Sequence, residues 1–183
     1  MSEVKVKRSQ FATFLNTGGS TEAWNRFGKG VTSQSVAYNP TVNSEQYIDE
    51  DNATSSVDAY APTINTPQTV WSGDPVFEYV DGLRKARAIG DDAVTDILLV
   101  YIYDKEADGA YAAEKQKVSI SVTDFGGDAG SSLSITYDLG FIGDPVIGTA
   151  SITDGKAVFT EKKVTSPSLV DDEGIQDDKE GIK

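Results

Sequence analysis

Between Trp71 and Asp104 the chain reads WSGDPVFEYVDGLRKARAIGDDAVTDILLVYIYD, one helix followed at once by the most apolar strand in the sequence. The rest of the chain has to be fitted around that pair. Asp74 suits the N-cap, because its carboxylate can accept from the free N–H groups of the first turn. Pro75 follows at the first helical position, where a missing N–H costs nothing. Val76, Val80 and Leu83 recur at i, i+4 and i+7 with Phe77 alongside, giving one apolar stripe. Arg84, Lys85 and Arg87 gather where the carbonyl end of the dipole favours cations, and Gly90 is placed to supply a left-handed stop. The helix is expected over 74–89, with Gly82 costing roughly 1 kcal/mol against Ala, so packing must compensate. Ile97 to Tyr103 then forms a central strand, covered on both faces at its middle.

After this strand the pattern becomes strictly alternating. Val118, Ile120 and Val122 interleave with Ser119, Ser121 and Thr123; Leu133, Ile135, Tyr137, Leu139 and Phe141 interleave with Ser134, Thr136, Asp138 and Gly140. Period two with one apolar face means half-buried antiparallel strands. Turns are marked by Asp108-Gly109, by Gly126-Gly127-Asp128 and, most strongly, by Asp154-Gly155. Strands are expected near 94–104, 114–125, 132–142, 146–153 and 156–163. Upstream, Phe11 to Leu15 is a short apolar stretch ended by a Gly-rich turn, and Val31 to Tyr38 alternates loosely up to Asn39-Pro40. From Thr41 to Pro67 the chain is polar, acidic and Pro-punctuated, either disordered or a functional loop that orders against a partner. The expected fold is mainly β: a β-sandwich with one flanking α-helix, a long acidic loop and extended termini. It divides into an N-terminal arm (1–8), a β domain (9–164, with the loop at 41–67) and a disordered acidic C-terminal tail (165–183).

Composition removes whole classes of chemistry. A chain of 183 residues has neither Cys nor His, so disulfides, the common zinc sites and the usual nucleophile–base pairs cannot be built. Asp49-Glu50-Asp51-Asn52 begins like a calcium loop, but Ala53 and Thr54 stand where a ligand and a Gly are needed. Gly28-Lys29-Gly30 lacks the spacing of a phosphate-binding loop. Paired carboxylates could hydrolyse glycosides, yet the acids here sit on polar loops and not at apolar strand ends. No enzyme, metal site or cofactor is expected. No run approaches the ~20 apolar residues of a membrane span, and the chain reads as a soluble protein made in a cytoplasm. Net charge is −13, with no basic residue between Lys29 and Arg84 or between Lys117 and Lys156. Either these are ordinary solvated faces, or a surface is kept free of cations so that a polyanion can pass without adhering.

KRSQFATFLNTG from Lys7, FGKGV from Phe27, SGDPVFEYVDGLRKARAIGDDA from Ser72, ILLVYIYD from Ile97, AEKQKVSISVTDFGGDAG from Ala113 and FIGDPVIGT from Phe141 together resemble the tail tube proteins (major tail proteins) of long-tailed bacteriophages. The resemblance spans Lys7 to Lys163 in order. It implies a structural virion protein, a late product assembled in the host cytoplasm, whose homohexameric rings stack head to tail into a hollow tube. Such a tube conducts double-stranded DNA during genome ejection without binding it specifically. The tape measure protein, tail terminator and tail-tip proteins are the implied further partners, and no membrane is.

Three groups of residues follow as candidates. Ser119, Ser121, Thr123, Ser134, Thr136 and Asp138 would line the lumen, although alternation alone leaves open that they face outer solvent. A hydroxyl-and-carboxylate lining gives phosphates nothing to exchange for their counterions. Glu45, Tyr47, Asp49, Glu50, Asp51, Asp58 and Tyr60 would belong to an inter-ring loop. Lys5, Lys7, Arg8, Arg84, Lys85 and Arg87 would form the basic patch that meets it. A rival reading is a phage surface or host-attachment β-domain, a binding module, for which Tyr47 and Tyr60 are the exposed aromatics.

Overall fold

The computed structural model describes residues 3–162. In chain order the strands are β1 (Phe11–Asn16), β2 (Trp24–Arg26), β3 (Val36–Ala37), β4 (Pro40–Glu45), β5 (Thr54–Tyr60) and β6 (Thr63–Thr69). The helix α1 (Pro75–Ala86) follows, then β7 (Val94–Lys105), β8 (Tyr111–Gly126), β9 (Ser134–Thr153) and β10 (Lys156–Glu161).

The helix begins as its residues dictate. Asp74 caps it by accepting from the Phe77 N–H at 3.1 Å, with Pro75 next in line. The stop differs from expectation. Arg87 (φ 50, ψ 47) is the left-handed C-cap, its N–H returning to the Leu83 and Arg84 carbonyls, while Gly90 (φ 60) is left-handed only beyond the helix end. The helix therefore ends at Ala86, three residues early. Val76 and Val80 are 1% and 0% exposed, and burying each is worth about 1.5–3 kcal/mol. That outweighs the Gly82 penalty of roughly 1 kcal/mol.

The strands close on themselves, and this corrects the sandwich. Six of them run β10-β2-β1-β7-β8-β9, and β9 pairs back to β10, completing a barrel. β6 and β3 extend the sheet from the first half of β9. Two expected strands, 132–142 and 146–153, are the single long β9: its first half joins β6 and its second joins β10. Closure depends on a bare backbone at Gly148, since a Cβ there would collide with the Thr160 carbonyl oxygen and the Phe159 ring. The expected hairpin is present, with Asp154 (φ 51) and Gly155 (φ 77) both left-handed between Thr153 and Lys156.

The central strand is covered on both faces, as its composition required. Ile97 and Leu99 join Val76, Val80, Val118, Ile120, Ile135, Tyr137 and Leu139 in a core beneath α1. Leu98 and Val100 point into the barrel with Phe14, Trp24, Ala113, Ala150 and Ala157. Ala12, Ala113, Ala150 and Ala157 make room there for the large Phe14 and Trp24 side chains.

The 41–67 loop is corrected as well. β4 and β5 form their own two-stranded sheet, while Thr63–Pro67 belongs to β6 in the main sheet. The region hid its strands because β6 turns Ile64, Thr66 and Gln68 inward, two of them polar. The disorder expected after residue 164 falls outside the described residues.

Candidate assembly surfaces

The hydroxyl residues of β8 and β9 do share a face, opposite the one under α1. Residues paired across antiparallel strands project to the same side. Ser119 pairs with Gly140 and Ser121 with Asp138, while β6 adds Asn65 opposite Asp138, Pro67 opposite Thr136 and Thr69 opposite Ser134. Asn65 Nδ2 donates to Asp138 Oδ1 at 2.7 Å. Alternation fails at one place. A bulge between Val122 and Asp124 sets Asp124, not Thr123, opposite Thr136. Thr123 is the extra residue, its hydroxyl donating to the Thr136 carbonyl at 3.1 Å.

The face also carries a cation that the charge map had placed at its border. Lys117 pairs with Asp96 on β7 and Ile142 on β9, on the same side as Ser119. By the same register Lys115 lies on this side as well, paired with Glu22 at 3.0 Å. Asp96, Asp124, Asp138 and Glu22 thus stand against two ammoniums, and the face remains net acidic. Asn65 and Asp124 escaped sequence reasoning. A bulge leaves no mark in hydrophobic periodicity, and β6 has no apolar stripe to reveal its pairing.

All seven loop candidates lie on the β4–β5 hairpin, every residue of which is exposed. Asp49, Glu50 and Asp51 occupy the connection between the strands. Tyr47 donates its hydroxyl to Glu45 Oε2 at 2.9 Å. Tyr60 stands at the base, edge-on to Tyr38 with ring centroids 6.4 Å apart. An unsupported two-stranded ribbon is only marginally stable in water, and this one exposes Val42, Ile48 and Val57. Its composition anticipates cover.

The basic candidates do not form one patch. Asp81, buried on α1, binds Arg84 and Lys85, each at 2.7 Å. The Lys85 hydrogen bond, then that of Arg84, holds the Asp81 carboxyl below its ordinary value despite the opposing effect of burial. Arg84 also stacks 3.9 Å from the Phe125 ring centroid. Arg87 serves as the helix stop, and Lys5 and Lys7 are exposed. Arg8 is attached elsewhere, donating to the Phe11 and Gln34 carbonyls at 2.6 and 3.1 Å. Arg84 and Lys85 are thus already partnered within the chain, while the Arg87 side chain enters no ion pair among the described residues. Among the described residues no cluster of Asp and Glu could hold a metal ion.

A buried polar network fixes these surfaces relative to one another. Gln68 on β6 donates to the Lys29 carbonyl at 3.0 Å and to Asp74 Oδ2 at 2.9 Å, and accepts from the Tyr137 hydroxyl at 3.0 Å. The helix cap, the polar-faced strand β9 and the strand following the hairpin are tied through one side chain. Burial, then the nearby Asp74 charge, raises the Tyr137 hydroxyl well above its ordinary value. Next to it, Thr13 donates to Gln34 Oε1 at 2.6 Å and Gln34 to Thr66 Oγ1 at 3.2 Å. Among the described residues no buried side-chain polar atom lacks a partner.

No family profile matches the chain, and no curated protein does. Solved structures match in shape. A chain in the tail of an empty GTA particle, computed with helical refinement and C6 symmetry, aligns with a TM-score of 0.57 at 10% identity. The alignment covers 77% of this chain and 97% of that one. A chain in the cap of the anti-feeding prophage, its tube-terminating cap, aligns with a TM-score of 0.50 at 16% identity, over 82% of this chain and 95% of that one. This chain therefore has the fold of proteins built into the tails and tube caps of phage-like particles.

Proposed function

We propose that the chain is the repeating subunit of a phage tail tube: six copies form a ring, rings stack head to tail, and double-stranded DNA passes through the bore. The observation that carries this reading is the fold held in common with a component of a tail computed with helical refinement and C6 symmetry. Two features of this chain support it. An open stack needs different surfaces on its two ends, and the exposed β4–β5 hairpin supplies a projecting element with no cover of its own. A conduit for DNA needs a wall that does not collect phosphates, because each added cation releases counterions and adds affinity along the whole length. The net acidic face of β6, β8 and β9 has that character. A ruler protein, a terminator and a tail tip would complete the tail.

The test is assembly. Purified protein concentrated and imaged by negative-stain microscopy should show rings or tubes. Replacing Ser44–Ser55 by Asn-Gly would close a shortened hairpin between Asn43 and Ser56, which are Cα partners. That variant should fold but not stack. Tubes of normal length from it would remove the hairpin from the mechanism.

A further inference from the structure

Two arginines line one pocket, and among the described residues no carboxylate meets them. Arg8, just before β1, and Arg26, at the end of β2, line an open cavity of about 560 Å³ with Ser9, Thr13, Thr32 and Ser33. Arg8 is held in place: besides its two bonds to carbonyls, its guanidinium lies 5.1 Å from the Phe11 ring centroid. Those partners are neutral, and among the described residues no carboxylate pairs with it. Arg26 is exposed and enters no ion pair among the described residues. Two guanidiniums flanked by hydroxyls are suited to bind carboxylates through paired N–H donors.

The matching acid is at the far end of the hairpin. Asp49, Glu50 and Asp51 are consecutive and exposed, and among the described residues none is in an ion pair. β4 runs six residues from the hairpin base, which carries the tip roughly 17–20 Å away from it. The carboxylates project away from their own body, toward whatever covers the ribbon. We propose that the hairpin tip of one copy seats its carboxylates in the Arg8–Arg26 pocket of a neighbouring copy. The pairing rests on the tube reading and specifies which residues make the contact. It also moves the basic partner from the helix end, where Asp81 has claimed Arg84 and Lys85, to a pair including Arg26.

Charge exchange tests it. R26E and D49K/D51K alter side chains that form no hydrogen bond or ion pair among the described residues, so circular dichroism should be unchanged. Each should raise the concentration needed for tube formation about tenfold or more, and the combined R26E/D49K/D51K chain should recover most of that loss. Single variants that assemble as the unaltered chain does, or a combination without recovery, overturn the pairing. So does an R26E defect that disappears when the chain is ended after Lys162, which would assign the pocket to the acidic C-terminal segment. A peptide spanning residues 44–55, titrated into dilute protein, separates the pairing from the tube reading. It should bind the unaltered chain and not R26E; equal behaviour of the two overturns the pairing even in a chain that never forms tubes.

Discussion

Replacing Gln68 by Leu changes little in volume and removes three hydrogen bonds at the junction of cap, hairpin strand and polar sheet. Tyr137, 0% exposed, would keep its hydroxyl with no acceptor, a cost of about 1–3 kcal/mol. Asp74 would lose a charge-assisted bond, worth about 1.5–3 kcal/mol. The Lys29 carbonyl belongs to an exposed residue and can turn to water. Q68L should therefore cost about 3–5 kcal/mol, a large part of the ~5–15 kcal/mol typical of a domain. Y137F removes the hydroxyl and leaves one amide oxygen unpaired, about 1–2 kcal/mol. In the double variant no hydroxyl is stranded, so the two costs should fall short of their sum by about 1–2 kcal/mol. Urea titration of dilute protein, followed by the fluorescence of buried Trp24 together with half-exposed Trp71 and by circular dichroism, measures all four corners of the cycle. Additivity within about 0.5 kcal/mol would show that Gln68 and Tyr137 do not act through each other and would refute the network.

Other consequences follow from single contacts. G148A should lower stability by about 1–3 kcal/mol, because the new methyl group meets the Thr160 carbonyl and the Phe159 ring where β10 closes the barrel; an unchanged melting temperature would contradict that closure. The depressed pKa of Asp81 stabilises the folded chain fully above the ordinary carboxylate value of 3.8, and this is lost as pH falls through the lower folded value. D81N should cost about 1–2 kcal/mol at pH 7 and nothing below that window, and parallel acid unfolding curves would deny the effect. The raised Tyr137 acts at the other end: its contribution is whole below the ordinary value of 10.0 and is lost as pH rises toward the folded value, so Y137F should flatten the alkaline limb. D124K reverses a charge on the polar face, and tubes assembled around a short DNA duplex should hold that duplex against nuclease. Capture of duplex that nuclease still digests would put the face outside.

Local physical chemistry carried much of this protein in its residue order. The Asp74-Pro75 cap, the Val76–Val80 stripe, the doubly covered Ile97–Val100 segment and the Asp154-Gly155 turn were legible because each depends on neighbours within a few positions. So was the acidic, exposed character of residues 45–58, which is a matter of composition. What required the folded chain were events between distant segments. Whether β10 leaves an open sandwich or closes a barrel depends on which strand its second edge meets, and on the room that Gly148 leaves for Phe159. The bulge at Thr123 exchanges a hydroxyl for Asp124 on the polar face without altering the hydrophobic rhythm. The strand TINTPQT is buried through Gln68 and Thr66, polar residues stable inside only because Tyr137, Asp74 and Gln34 converge on them. Charge was legible as an inventory, but neutralisation was not: Asp81 claims Arg84 and Lys85, while Arg8 and Arg26 enter no ion pair among the described residues. Periodicity reports which side of a segment prefers to be dry; only the assembled contacts decide what lies against it.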